Sequence, residues 1–169
     1  RYSLNCVMGA GAEVGTPMLE DHRVPLVSAT GSCRMGRIVG PRVAARLNAL
    51  LGGDGRVFFC NSGAEANECA IKLARRHGQR NGGPGRFHVI SAYGSFHGRT
   101  LTTLAATGQP QKQETFQPLP SGFRQVSFAD VDALAALMDE RVCALMLEPV
   151  QGEGGVQPSQ PGYLEALRA

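Results

Sequence analysis

Three short clusters of small and polar residues carry the residue types that bind charged ligands or move protons. They are NSGAEANE at Asn61–Glu68, YGSFHGRT at Tyr93–Thr100 and EPVQGEGG at Glu148–Gly155. Each cluster follows a short apolar run of the kind that forms a buried strand. Ligands of parallel α/β sheets collect at the carboxyl ends of the strands. The three clusters together therefore predict one ligand site, although each alone is a weak signal.

The first cluster predicts an anion site at the start of a helix. Its small residues leave backbone amides free where the helix dipole favours negative charge. We expect a phosphate group to bind the amides of Gly63 and Ala64 and the hydroxyl of Ser62. The structural alternative, which spacing alone favours, is a capped turn in which Ser62 is the N-cap and Glu65 completes a capping box.

The second cluster offers an aromatic ring, an imidazole and a guanidinium between glycines. Phe96 can stack on a flat cofactor, and Arg99 can hold a carboxylate with its two-pronged guanidinium. Considered alone, Phe96 is explained by a place in the hydrophobic core. His97 is explained better by a structural hydrogen bond than by a catalytic role. The functional interpretation of this cluster therefore depends on the other two.

Two carboxylates, Glu148 and Glu153, lie in the third cluster beside glycines that permit tight turns. Paired carboxylates can perform acid–base chemistry or bind a cation. A Glu148 that only accepts hydrogen bonds from backbone amides at a strand end explains its position equally well.

Composition narrows the class of protein. With 169 residues, 43% of them hydrophobic and 18% charged, the chain has the length and balance of one globular domain. Its net charge is +3 and its 17 basic residues form no run, which argues against a nucleic-acid surface. No stretch approaches the roughly 20 apolar residues of a membrane span. The five cysteines lack metal-site or disulfide spacing, so we expect no metal and a cytoplasmic location.

Helix-like and strand-like segments alternate from about Pro41 onward, which predicts an α/β fold with a mainly parallel sheet flanked by helices. The predicted strands are Val57–Cys60, Phe87–Ser91 and Ala144–Leu147, the predicted helices are Val43–Leu51, Glu65–Gln79, Thr100–Thr107, Asp130–Met138 and Pro161–Arg168, and Gln109–Gly122 is a predicted loop. In the second helix, the spacing of Ala66, Cys69, Ala70 and Leu73 predicts the buried face. Residues 41–169 form the predicted domain. Residues 1–40 form an N-terminal segment to which we assign nothing beyond coil and a short strand.

The three motifs resemble those of a known family. NSGAEANE at Asn61–Glu68, FHGRT at Phe96–Thr100 and EPVQGEGGV at Glu148–Val156 are similar to the class III aminotransferases, which are fold-type I pyridoxal-phosphate enzymes. Within that class, TGQPQKQETFQPLP at Thr107–Pro120 and the tail QPSQPGYLEALR resemble the acetylornithine aminotransferases of arginine biosynthesis. The resemblance runs from about Gly40 to the end and implies that residues 41–169 are part of the large, cofactor-binding domain.

The resemblance also implies roles at the matching positions. The cofactor is expected to be pyridoxal 5'-phosphate, with its phosphate on Ser62, Gly63 and Ala64 and its ring against Phe96. Substrate-binding residues are expected to be Arg99, for the α-carboxylate, and Glu153, for specificity, with His97 and Glu148 as supporting residues.

The family's reaction implies small-molecule partners. An amino donor, here N-acetylornithine, gives its nitrogen to the cofactor, and 2-oxoglutarate then accepts it as glutamate. Donors left open within the class are ornithine, 4-aminobutyrate and glutamate semialdehyde. Family members are homodimers, so the resemblance also implies a second copy as a partner, and neither a nucleic acid nor a membrane.

The chain departs from the family's pattern in its catalytic residues. It has no Asp-Glu-Val-Gln-type motif for the aspartate against the pyridine nitrogen, and its two lysines, Lys72 and Lys112, do not match the Schiff-base lysine. Arginine cannot replace that lysine, because a guanidinium does not deprotonate to a nucleophile. We therefore assign no catalytic residue and expect no turnover from these 169 residues alone. The alternatives are a non-catalytic remnant that binds a phosphate ligand or a partner, and a fragment without stable function.

Overall fold

The computed structural model describes residues 33–50 and 52–167, which belong to two compact units, residues 1–58 and residues 59–169. In the first unit, α1 spans Cys33–Leu50 and runs through Pro41. The helix predicted at Val43–Leu51 is therefore present, but it begins ten residues earlier, at Cys33. A proline removes one backbone donor and bends a helix, but a long helix continues across it. Our assignment for residues 1–32 lies outside the described residues.

The apolar run Val57–Cys60 is not a strand, which corrects the prediction. Phe58 and Phe59 are 73% and 55% exposed. An apolar run becomes a buried strand only where a neighbouring strand takes up its backbone hydrogen bonds, and no described strand lies beside this one.

The second unit alternates helices and strands. In chain order these are α2 (Gly63–Gly82), β1 (His88–Ala92), α3 (Leu101–Ala106), α4 (Pro110–Gln113), a 3₁₀ turn (Glu114–Phe116), β2 (Phe123–Val126), α5 (Val131–Leu137), β3 (Val142–Met146), β4 (Val150–Gln151), β5 (Gln157–Pro158) and α6 (Tyr163–Ala166). The predicted strands at residues 87–91 and 144–147 and the four predicted helices of this unit are confirmed, with shifted ends. None of the described helices combines the length and the apolar character needed to cross a bilayer.

A parallel sheet of order β2-β1-β3 forms the centre of this unit. Successive residues of a strand point to opposite faces, and β1 buries apolar side chains on both. Ile90 packs with Val126, Leu134 and Val142, whereas Val89 packs against a separate cluster on α2 and α3. Burial on both faces is typical of a parallel sheet covered by helices, and it confirms the predicted α/β class.

The buried face of α2 differs from the predicted one. Leu73 is 63% exposed, and the buried positions of the helix are Ile71 and Gly78. A Cβ at Gly78 would lie 2.5 Å from the Arg86 carbonyl oxygen and 2.5 Å from the Cys143 Cβ. Helix α2 therefore approaches the sheet closely at Gly78. The spacing of hydrophobic residues cannot predict a contact made by a glycine.

The segment after α3 is more ordered than the loop predicted for residues 109–122. It contains α4, whose first residue is Pro110, and the 3₁₀ turn. Proline fits the first turn of a helix because the amide it lacks would have no partner there. The strand β2, which follows this segment, was not predicted at all.

Candidate functional site

Two of the three polar clusters meet at one edge of the sheet. Residues 93–100 follow β1 and residues 148–155 follow β3, which is parallel to it. The backbone amide of Phe96 donates to Glu148 Oε2 at 3.3 Å. The side-chain amide of Gln151 donates to the Tyr93 carbonyl at 2.9 Å. Adjacent parallel strands thus bring together residues that are 52 and 58 positions apart.

The first cluster joins them from the side of α2. Asn67 Nδ2 donates to the His97 carbonyl at 2.7 Å, and Thr100 Oγ1 donates to Glu68 Oε1 at 2.5 Å. The expectation that this cluster follows a strand was wrong, because residues 57–60 form none. Its predicted position at a helix N-terminus is confirmed.

Ser62 is the N-cap of α2 and completes a capping box. Its Oγ accepts from the Glu65 amide at 3.2 Å, and Glu65 Oε2 accepts from the Ser62 amide at 3.0 Å. The structural alternative for this turn is therefore present. It still leaves the amides of Gly63 and Ala64, in the first turn of a 20-residue helix, without an acceptor among the described residues. The capped turn and the anion site are compatible.

Phe96 is half-buried, and two cations lie near its ring. The Arg99 Cζ lies 5.7 Å from the centre of its ring, and the Lys112 Nζ lies 5.3 Å from it. Arg99 itself is exposed, and no described carboxylate lies within ion-pair distance of it. Its guanidinium is therefore accessible to a carboxylate ligand.

His97 is buried in the loop that these contacts hold. Its amide donates to the buried Thr107 Oγ1 at 2.9 Å. Burial lowers the pKa of the His97 imidazole, and a hydrogen bond with the Met146 backbone offsets part of this shift. The ring is therefore neutral near pH 7. Within residues 33–50 and 52–167 its Nε2 is buried without a hydrogen-bond partner. A buried polar atom without a partner is costly, and a bound group that reached it would remove that cost.

The two glutamates of the third cluster have different environments. Burial raises the pKa of the half-buried Glu148 carboxyl, against the effect of the Phe96 amide that it accepts from. The hydrogen bond from Lys112 lowers the pKa of Glu153, and a second hydrogen bond from Gln109 acts in the same direction. Glu153 is therefore ionised near neutral pH.

Comparison with known proteins identifies the family. The model of the aminotransferase class-III family matches residues 40–169. This chain belongs to the class III aminotransferases. Members of the family depend on pyridoxal phosphate and act on amino and keto acids, so the predicted family and cofactor are confirmed.

The most similar relatives include acetylornithine aminotransferases. That of Methanocaldococcus jannaschii is 51% identical over 127 residues, which cover 75% of this chain and 32% of that protein. That of Xanthomonas campestris is 55% identical over 116 residues, which cover 68% of this chain and 28% of that protein. The chain therefore spans 28–32% of the length of these curated relatives.

Solved structures give the same fold. The ornithine aminotransferase of Toxoplasma gondii superposes with a TM-score of 0.67 at 38% identity, covering 76% of this chain and 31% of that one. An aminotransferase of Bacillus anthracis superposes with a TM-score of 0.69 at 32% identity, covering 76% and 33%.

Sequence reasoning missed several residues that hold the site of this class III aminotransferase. Asn67, Thr107, Gln109, Lys112 and Gln151 each bond a residue of the predicted clusters. All five lie inside motifs that carry the family resemblance. A search of the motifs for side chains able to donate or accept two hydrogen bonds would have found them.

The remaining candidates add no metal site in the described ranges. No group of three or more histidine, cysteine or acidic residues has the arrangement of metal ligands there. Cys60, Cys69 and Cys143 are free thiols. Lys72 is exposed on α2, while Lys112 is ion-paired with Glu153.

Proposed function

We propose that the protein carrying this sequence is a pyridoxal-phosphate-dependent transaminase that moves an amino group from N-acetylornithine to 2-oxoglutarate. One observation carries the proposal: three motifs separated in sequence are linked by hydrogen bonds into a single site of a class III fold. The names of the relatives at 51–55% identity support the donor. The family resemblance supports a homodimer, and the cysteine usage supports a cytoplasmic location.

The residues of the site fit the cofactor. We assign its phosphate to the amides of Gly63 and Ala64 and to Ser62, whose Oγ accepts from Glu65 and so keeps its own hydrogen to donate. We assign its ring to Phe96. The unpaired buried Nε2 of His97 is the kind of polar atom that a bound group satisfies. Residues 41–169 then form part of the cofactor-binding large domain, preceded by the segment of residues 1–40.

The chemistry that pyridoxal phosphate supplies when bound is that of an electron sink. The residues of this chain bind and orient. The helix dipole and free amides of α2 hold the phosphate, and Arg99 holds the substrate's α-carboxylate through paired hydrogen bonds. Glu148 fixes the amide of Phe96 and thus the ring position, and Glu153 faces the substrate end that distinguishes one amino donor from another.

The substrate assignment predicts which amino donor is used by the protein that carries this sequence, whereas residues 1–169 alone, which lack a matching Schiff-base lysine, should turn over none. With 2-oxoglutarate as acceptor, glutamate formation should be fastest with N-acetylornithine and slower with ornithine, 4-aminobutyrate and glutamate semialdehyde. Faster use of one of these other donors would contradict the substrate assignment and leave the transaminase assignment intact. Cofactor binding with no turnover of any donor would favour the non-catalytic alternative.

Removing one amide from α2 tests the phosphate site. Gly63→Pro deletes the first helical N–H, at a position that proline favours. The preceding Ser62 is already extended, with φ −145° and ψ 160°, as a residue before proline requires. A hydrogen bond to a charged group is worth about 1.5–3 kcal/mol, so we expect the affinity for pyridoxal phosphate to fall about tenfold or more. Absorbance titration of the protein freed of cofactor measures this.

Gly63→Ala is the matched control. It keeps the amide, and nothing lies within 4 Å of its added Cβ, so it should bind pyridoxal phosphate like the unsubstituted protein. Circular dichroism checks that α2 stays helical in both variants. Equal affinities for the proline and alanine variants would exclude the Gly63 amide from the phosphate site.

A further inference from the structure

The carboxylate of Glu153 is held on both of its oxygens by the segment that follows α3. Lys112 Nζ makes an ion pair with Oε1, and Gln109 Nε2 donates to Oε2 at 3.1 Å. Gln109 also donates to the Ser95 carbonyl at 3.0 Å, which fixes its side-chain amide relative to residues 93–100, called here the Phe96 loop. Lys112 and Glu153 are partly exposed, with side chains 24% and 36% accessible. The pair is therefore accessible to solvent.

The same pair lies beside the guanidinium proposed to bind substrate. Lys112 and Arg99 are both within 6 Å of the Phe96 ring centre, at 5.3 and 5.7 Å. Arg99 is near enough to lower the pKa of Glu153, yet forms no ion pair with it. Two cations, Lys112 and Arg99, thus act on the Glu153 carboxylate, and only Lys112 forms an ion pair with it.

We propose that Lys112 is a positioning residue that, together with Gln109, keeps the Glu153 carboxylate off Arg99 and so leaves Arg99 available to a substrate carboxylate. This inference rests on the proposed function, because it takes Arg99 as the substrate's carboxylate site. Lys112 itself touches neither the substrate nor the cofactor in this role.

The physical reason lies in the geometry of the arginine–carboxylate contact. A guanidinium binds a carboxylate best through two parallel hydrogen bonds, which need both oxygens. Each Glu153 oxygen already accepts one hydrogen bond, Oε1 from Lys112 and Oε2 from Gln109, so a paired contact with Arg99 would have to share or displace both of them. Without the Lys112 charge, the remaining cation that acts electrostatically on Glu153 is Arg99. The protein's own carboxylate then competes with the substrate's.

The test measures carboxylate binding in the protein carrying this sequence. The probe is glutarate, a dicarboxylate that cannot react, and the readout is calorimetric affinity. Coupling between charged groups in contact is worth roughly one factor of ten in affinity, so Lys112→Gln is expected to weaken glutarate binding about tenfold. Lys112→Arg keeps the charge and should bind glutarate like the unsubstituted protein. Lys72→Gln, which removes the chain's other lysine from an exposed position, is the matched control and should have no effect.

A second pair of variants separates positioning from direct contact. In a Glu153→Gln background no carboxylate competes for Arg99, so adding Lys112→Gln should cost nothing further. If Lys112→Gln still weakens glutarate binding in that background, Lys112 contacts the ligand directly and the inference is overturned. Equal affinities of the Lys112→Gln and Lys72→Gln variants overturn it as well, as does a failure of the unsubstituted protein to bind glutarate.

Kinetics distinguish this inference from the proposed function. Lys112→Gln should raise KM for a carboxylate-bearing donor about tenfold, with kcat changed less, because the loss is in ground-state binding. If the unsubstituted protein has no transaminase activity with any donor, the proposed function fails, while the glutarate comparison still decides the relation between Lys112, Glu153 and Arg99.

Discussion

Replacing Gly108 with alanine should destabilise the unit of residues 59–169 by about 3 kcal/mol, at the upper end for overpacking a buried position. A Cβ at Gly108 would lie 2.0 Å from the Ala92 carbonyl oxygen and 2.8 Å from the Tyr93 Cα. These are backbone atoms at the end of the central strand, so no side-chain rotation relieves the contact. Gly108 also pairs with Tyr93, and its carbonyl accepts from the Gly94 amide at 2.8 Å. The same change should therefore disturb the loop that carries Phe96 and Arg99.

Urea denaturation followed by circular dichroism measures this effect. Gly85→Ala is the matched control, because nothing lies within 4 Å of its added Cβ and its φ is not positive. The control should lie within about 0.5 kcal/mol of the unsubstituted protein, as surface substitutions usually do. A Gly108→Ala variant as stable as the Gly85→Ala control would mean that the approach of Gly108 to β1 is looser than the structure has it.

Local signals in the sequence predicted the elements that depend on local physics. Asp130 was expected to cap a helix, and its Oδ1 accepts from the Ala133 amide at 2.8 Å. The apolar run at residues 87–91 became the central strand, since its residues are buried on both faces. Capping and a continuous apolar run act within a few residues of the chain, so they are visible without knowledge of the partners.

Elements that depend on distant partners were missed or misassigned. Strand β2 contains Arg124 and Gln125, so it has no continuous hydrophobic run from which a strand could be predicted. Their polar groups are satisfied far away in the chain, because Arg124 donates to the Leu137 carbonyl and Gln125 to the Ala105 carbonyl. In contrast, the apolar residues 57–60 have no described strand beside them and form none. Composition alone could not separate these two cases.

The candidate site also has one part that local sequence predicts and one part that depends on distant partners. Its motifs were recognisable from residue types and order, but the contacts that join them span 30 to 58 residues. The pairing of Lys112 with Glu153 crosses 41 residues. Nothing in the local sequence of either residue indicates the other, and only the parallel register of β1 and β3 brings their segments to one edge. Which residues bear on the site was thus predictable in part, and how they hold one another was not.

Arg99 carries the second large expected effect, on activity. In the proposed site its guanidinium holds the substrate's α-carboxylate with paired, charge-assisted hydrogen bonds, each worth about 1.5–3 kcal/mol. Arg99→Gln removes the charge and the paired donors, so kcat/KM for a carboxylate-bearing donor should fall about a hundredfold. Arg99→Lys keeps the charge but loses the paired geometry, so its kcat/KM should lie between those of the unsubstituted protein and Arg99→Gln. Steady-state kinetics with N-acetylornithine measure the series.

Two comparisons make the Arg99 result specific. A primary amine without a carboxylate has nothing for Arg99 to hold, so its kcat/KM should be nearly unchanged in Arg99→Gln. Arg76, an exposed arginine on α2, provides the matched control, and Arg76→Gln should leave both substrates unaffected. An equal loss of kcat/KM with the amine and with N-acetylornithine would show that Arg99 does not bind the substrate carboxylate. Its role would then be to support the Phe96 loop, since its guanidinium lies over the Phe96 ring. Arg99 would then stabilise the cofactor's surroundings, and the carboxylate site would have to lie elsewhere.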